Sequence, residues 1–222
     1  MAYTISLAAQ WPESLEVERS LKWSPDWGHE ASPPTIAGNR QFRSITGGGL
    51  WRALFSSLVV TQHRGNVRDW LALEIALRGG MTPVDVPLLL CAYQPEPATP
   101  TSDDAPVISS SGGWAARAVS GRIDLENAVE VVAGMHFSDY DPTTYGWRLH
   151  RIETVALAGS GGGPTERDIT FWPPARFSVA DGHRLEWKEP RCVMQLASAD
   201  AMDIELDLRK RGSPSASFIE VF

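Results

Sequence analysis

Apolar and polar positions alternate along much of this chain, and most of the alternation has the two-residue period of a β-strand. Leu15-Glu16-Val17-Glu18 alternates, as does part of the stretch from Arg43 to Val60, which puts one face on a core and the other in water. Tyr3–Ala9 is a short apolar run of strand length. Ser24–Asn39, with Pro25, Pro33, Pro34, Gly28 and Gly38, reads as a loop. Gly47-Gly48-Gly49 separates Phe42–Thr46 from Leu50–Val60 and suggests a hairpin with a long second arm. One segment departs from this period. Asn66 to Arg78 is predicted to be a helix, with Asn66 able to cap it, Asp69 in the first turn, Arg78 in the last, and Gly79-Gly80 as a left-handed stop. Val67, Trp70, Leu71, Leu73, Ile75 and Leu77 leave it apolar around much of its circumference, so deep burial is expected. Thr82–Leu90 follows as a strand, with Pro87 pointing to an edge or a bulge.

The pattern breaks at 94–113, where Pro, Ser, Thr, Asp and Gly crowd out anything that could be buried, so a long loop or linker is expected. Beyond it, Arg117–Ile123, Ala128–Val132, Trp147–Ala158, Ile169–Trp172 and Arg184–Trp187 read as short strands. Gly161-Gly162-Gly163-Pro164 reads as a hairpin tip and Asp181-Gly182 as a turn. Such spacing argues for a small barrel or sandwich. The C-terminal segment reads as two strands, Met202–Leu208 and Ser217–Phe222, joined at Gly212 to Pro214, and no internal repeat is evident.

Composition narrows the function classes. The chain has 222 residues, 43% hydrophobic and 21% charged, so it can bury a core. Nine tryptophans suit a β-rich core or an assembly surface. A net charge of −7 argues against a protein that grips nucleic-acid phosphates, and the densest basic run, Arg209-Lys210-Arg211 beside Gly212, reads as a solvated turn. Met1–Trp11 lacks the basic and apolar regions of a signal peptide. Val84–Tyr93, the most apolar stretch, is broken by Asp85 and Pro87 and too short to span a bilayer, so a soluble protein made in the cytoplasm is expected, without membrane insertion.

The search for chemistry assigns no catalytic, cofactor-binding or metal-ligating residue. His29, His63, His136, His150 and His183 are far apart and lack metal-site spacing. Asp139-Tyr140-Asp141 resembles the start of a calcium loop, but Pro142 follows at once and no terminal Glu is present, so it reads as a turn between strands. Asp103-Asp104 reads as solvated linker. Gly47–Gly49 and Gly161–Gly163 lack the lysine and hydroxyl of a phosphate loop, and no serine sits in a nucleophile elbow. Cys91 and Cys192 have no neighbouring histidine in sequence and read as buried thiols, although a disulfide between them stays open.

Five patterns in fixed order resemble a family of distal tail proteins from siphophages and prophages of proteobacteria. They are Gly49-Leu50-Trp51-Arg52-Ala53; the helix closed by Gly79-Gly80 with Pro83-Val84-Asp85-Val86-Pro87; Ala133–Ser138 with Gly146–Ile152; Ile169–Arg176 with Asp181-Gly182 and Pro190–Met194; and the ending Ser217–Phe222. They span about residues 40 to 222, and the first sixty residues match least. The resemblance implies a mainly β fold, a β-sandwich with one packed helix and an inserted small β-barrel-like domain. Residues 1–95 with helix 66–78, completed by 191–222, would form the sandwich, 96–113 the linker and 114–190 the insertion. It implies a structural, non-enzymatic role in the virion without cofactors. Six copies would form a ring at the tail tip or baseplate, between the tail tube protein and the hub or fibre proteins, with DNA passing through the lumen and no specific nucleic-acid binding. Two other classes compete with it: a receptor- or carbohydrate-binding module, suggested by Trp23, Trp27 and Trp114 as exposed rings, and an envelope-degrading hydrolase.

Overall fold

In Leu50–Phe55 the alternation becomes structure directly: Trp51, Ala53 and Phe55 are buried, while Arg52 and Leu54 face outward. The computed structural model describes residues 9–12, 15, 21–26, 29–31, 42–44, 49–56, 60–61, 66–88, 106–109, 113–125, 130–141, 146–159, 162–198, 202, 204 and 211–221. The described strands are β1 (Ala9–Gln10), β2 (Leu21–Asp26), β3 (His29–Ala31), β4 (Phe42–Ser44), β5 (Leu50–Phe55), β6 (Val60–Thr61), β7 (Val84–Pro87), β8 (Val107–Ile108), β9 (Ser120–Asp124), β10 (His136–Asp141), β11 (Gly146–Leu157), β12 (Glu166–Trp172), β13 (Arg191–Leu196), β14 (Arg211–Gly212) and β15 (Ala216–Glu220). The helix α1 covers Asn66–Leu77 and runs into a single 3₁₀ turn, Arg78–Gly80. The protein is mainly β, and its described residues form one α-helix, two principal sheets and a barrel-like part.

A six-stranded sheet in the order β1-β7-β13-β15-β5-β2 draws strands from both ends of the chain. Its pairs are antiparallel except β1 with β7. Trp23, Trp51, Phe55, Val84, Val86 and Phe218 of this sheet share one hydrophobic core with the buried face of α1. The helix buries Val67, Trp70, Leu73 and Leu77, the one-face spacing of an amphipathic helix. The Trp70 Nε1–H donates to the Met202 carbonyl at 2.9 Å. The deep burial expected of the helix holds for this face but not for Leu71 and Ile75, which are 42% and 77% exposed.

A five-stranded antiparallel sheet in the order β10-β11-β12-β9-β8 comes from the middle of the chain. Its two edges are joined by the segment around His183–Glu186. The Ile108 N–H donates to the His183 carbonyl at 3.0 Å, and Ser138 and Glu186 exchange backbone hydrogen bonds of 2.8 and 2.9 Å. Single bridges tie Val107 to Arg184 and Ser138 to Glu186. Curling the sheet in this way covers edges that would otherwise be open to other chains. The barrel-like part encloses a second core with Trp114, Phe137, Phe171 and Trp187 at its centre. The two sheets meet where β11 lies against β13, and Leu149 of β11 is buried in the first core.

Several local expectations are corrected. Ser24 to Asp26 lies in β2, not a loop, and His29–Ala31 is also strand. Pro25 fits because β2 is an edge strand, where a missing N–H leaves no neighbour short of a donor. The hairpin across Gly47–Gly49 does not form: β4 pairs with β3, whereas β5 pairs with β2 and β15. Pro87 ends an interior strand, past the two-residue reach of β1. The expected linker contains β8, with Ile108 buried, because Val107-Ile108 supplies apolar alternation to the second sheet. Glu130–Val132 is not strand, and Asp139-Tyr140-Asp141 is no turn but the end of β10. Arg184–Trp187 makes only isolated bridges, Met202 and Ile204 lie outside any strand, and Arg211 starts β14 instead of a turn. Tyr3–Ala8, Glu16–Glu18, Trp27, His63, Cys91, Asp103-Asp104 and Arg209-Lys210 lie outside the described residues.

Candidate functional site

Two polar clusters stand out, one sealed between the sheets and one open on the outer face of the five-stranded sheet. The sealed cluster centres on Glu220. The inward alternation of β15 carries Ala216, Phe218 and Glu220 to the sheet interface, so a carboxylate occupies an apolar position. Its Oε2 accepts the Trp51 backbone N–H at 3.0 Å, and its Oε1 accepts Arg148 Nη1 at 2.7 Å. Arg176 Nη2 lies 3.3 Å from the same oxygen, and Arg176 also donates to the Val221 carbonyl. The Arg148 and Glu220 side chains are 2% and 1% exposed. Burial pulls the Arg176 guanidinium below its usual range, and the facing Glu220 opposes that shift.

Asp139 and His150 are both fully buried, with the His150 ring stacked on Phe137 and edge-on to Phe171 of the second core. His150 Nδ1 is 2.7 Å from the Pro173 carbonyl, which can only accept, so Nδ1 carries a proton. Nε2 faces Asp139 Oδ1 at 3.2 Å, an ion-pair distance outside good hydrogen-bond geometry. Ser138 completes the link: its Oγ donates to the Arg191 carbonyl at 2.8 Å and accepts the Arg191 N–H at 2.7 Å. The Trp51 Nε1–H donates to the Leu149 carbonyl at 2.8 Å, and Gly49 packs so close to Trp172 that a Cβ there would meet the ring at 2.1 Å. Cys192 is a free, fully buried thiol that burial pushes well above its ordinary pKa. A thiol in that state is not a nucleophile. The cluster fixes two sheets against each other and offers no solvent-facing reactive atom.

The open cluster follows from register. Thr154 and Ser120 flank Thr170, and Ala156 and Arg122 flank Asp168, across three adjacent strands. A bulge between Ile152 and Thr154 turns the far half of β11 and sets this row. Arg122 binds Asp168 in bidentate fashion, at 2.8 and 3.3 Å. The Arg122 hydrogen bond holds the Asp168 carboxyl below its ordinary range, and the Gly159 N–H adds to this. Glu166 is lowered first by the Ser109 hydroxyl, then by the Gly163 N–H. Thr154 and Thr170 hydroxyls are 2.7 Å apart. The hollow over this floor has a volume of about 700 Å³ and is lined also by Asp181.

Two of the three rings proposed for a receptor-binding groove, Trp23 and Trp114, do not line one; the third, Trp27, lies outside the described residues. Trp23 is 7% and Trp114 2% exposed, because both pack inside the two cores. His136 and His150 are buried, His183 is half-buried, and His29 lies in β3. Among the described residues no group of three or more His, Cys, Asp and Glu side chains could hold a metal ion, and no helix is long and apolar enough to cross a membrane. Arg148, Glu220 and the Arg122 cluster were not singled out by spacing, and Asp139 was weighed only as part of a calcium loop or a turn. The available signal was a charged residue at an inward position of an otherwise alternating strand, as in Phe218-Ile219-Glu220. No family model and no curated protein matches this chain.

Proposed function

We propose that this chain is a structural subunit of the distal tail ring of a long-tailed bacteriophage, joining the tail tube to the hub or fibres around the DNA channel. One observation supports the reading above all. The five sequence patterns that resemble the distal tail family, far apart in the chain, contribute to one buried junction. Trp51 from the first bonds Leu149 from the third and Glu220 from the fifth. Arg148 bonds Glu220, and His150 bonds Pro173 from the fourth. Strand β7 from the second pairs with β13, and Ser138 ties the third pattern to Arg191. Residues that define a common architecture are expected to behave in this way. A ring subunit also needs its two β parts at a fixed angle, since a tilt in one copy repeats in all six. The net charge of −7 suits a lumen that does not hold the DNA phosphates. On this reading the chain carries no catalytic residue, cofactor or metal, and it works in the virion after synthesis in the host cytoplasm.

The test is direct. Gold-labelled antibody against the purified chain is expected to mark the tail tip of tailed particles, and a reconstruction of that tip is expected to show six copies around an open, non-basic channel. Label absent from the particles, or a channel lined by Arg and Lys, would overturn the proposal.

A further inference from the structure

We propose that the hollow on the outer face of the five-stranded sheet is a binding site for a neutral oligosaccharide. The inference does not rest on the ring assignment. The floor is made of Thr154, Thr170 and Ser120 in one row, with Asp168 and Arg122 beside it in register. Hydroxyl, carboxylate and guanidinium groups on a shared floor match a sugar, whose hydroxyls each donate and accept. The Arg122–Asp168 fork holds both partners in fixed orientation, so a ligand meets groups already positioned. Asp168 is 43% and Arg122 27% exposed, so their remaining lone pairs and N–H groups reach the hollow. The volume, about 700 Å³, falls within the usual range for small-ligand sites of about 300–1,000 Å³.

The same chemistry excludes other ligand classes. Glu166, Asp168 and Asp181 face one guanidinium, three negative charges against one positive, which disfavours phosphate, sulfate and acidic sugars. Among the described lining residues Ala156 and Ile169 alone are aliphatic, and no aromatic ring is present, so hydroxyl, carboxylate and guanidinium groups set the specificity. An extended peptide would pair with a strand edge, whereas this hollow lies over the face of paired strands. The arrangement also has little to gain as a folding device, since exposed ion pairs contribute little to stability.

Saturation-transfer NMR on the full chain tests this with gluco-, galacto- and manno-configured neutral tetrasaccharides, a sialylated trisaccharide and inorganic phosphate. At least one neutral tetrasaccharide is expected to receive saturation, and the two anionic probes none. Affinity is expected to fall about tenfold or more in Asp168→Asn and Thr170→Val, each close in shape to the residue it replaces. Ser120→Ala, at an exposed hydroxyl, carries the test if either variant fails to fold. Absence of transfer to all three neutral probes, transfer unchanged in the folded variants, or preferential binding of an anionic probe would overturn the proposal.

Discussion

Arginine and carboxylate meet in two places along β11 and β12, under opposite conditions. Toward one end, Arg148 and Arg176 close on Glu220 between the two sheets, with Arg148 and Glu220 almost wholly removed from water. Toward the other, Arg122 closes on Asp168 under open solvent. The distances are nearly the same, 2.7 and 2.8 Å, so geometry does not separate them. Burial does. Water screens the open pair and can replace either partner, whereas in the sealed cluster the ions are solvated by one another and by a few backbone groups, the Trp51 N–H and the Pro174 and Val221 carbonyls. One kind of contact thus makes a junction in the first place and a receptive surface in the second.

The comparison is broken most severely by Glu220→Ala. The variant leaves two buried guanidinium groups and the Trp51 N–H without their shared acceptor. It is expected to lower unfolding free energy by about 3–5 kcal/mol, measured by denaturant titration. A loss no larger than that of Asp168→Asn would mean that water reaches the junction and that the two clusters are equivalent.

A smaller effect is expected where the junction relies on neutral hydrogen bonds. Ser138→Ala strands the Arg191 carbonyl and N–H, both now satisfied by one hydroxyl. Its cost should be about 1–3 kcal/mol, and hydrogen exchange should rise at Arg191 before it rises at β5. Uniform acceleration over the whole chain would show that β10 and β13 do not form a separable contact.

The open alternation of β5 and the existence of the helix were legible in the sequence because their partners are apolar and interchangeable, whereas the outward placing of Leu71 and Ile75 was not. The mainly β class follows from that signal alone. The sealed cluster was not legible, because its meaning lies in pairings between distant residues: Arg148 and Glu220 are 72 positions apart, Trp51 and Glu220 169. Asp139 and Asp141 read as turn residues since carboxylates rarely occupy a buried strand, yet β10 buries both. Ser24–Asp26 read as loop because proline was weighed without knowing that β2 is an edge. The floor of the hollow was hidden differently. Ser120, Asp168 and Thr170 each fall on the polar side of an alternating strand, but the register that aligns them is set by the bulge in β11, which leaves no mark in composition.

The smallest global effect, and the sharpest contrast, should come from acid. Asp168 and Glu166 have carboxyl pKa values held below the ordinary range by hydrogen bonds from Arg122 and Ser109. A carboxyl depressed in the folded state adds stability that is present above its unfolded value, about 4, and is lost as pH falls through the lower folded value. Wild type and Asp168→Asn should therefore differ slightly at pH 7, and the difference should vanish as the medium falls below about pH 4. Carboxyl carbon NMR should show both groups titrating below about 4, with shifts confined to β9, β11 and β12 near the hollow. Because the paired groups lie under solvent, their protonation should loosen the floor without separating the sheets. Titration at ordinary values would remove the fixed orientation on which sugar recognition was argued. A simultaneous loss of the Trp51 and Leu149 signals would show instead that the hollow and the junction are one cooperative unit, and that burial does not divide them.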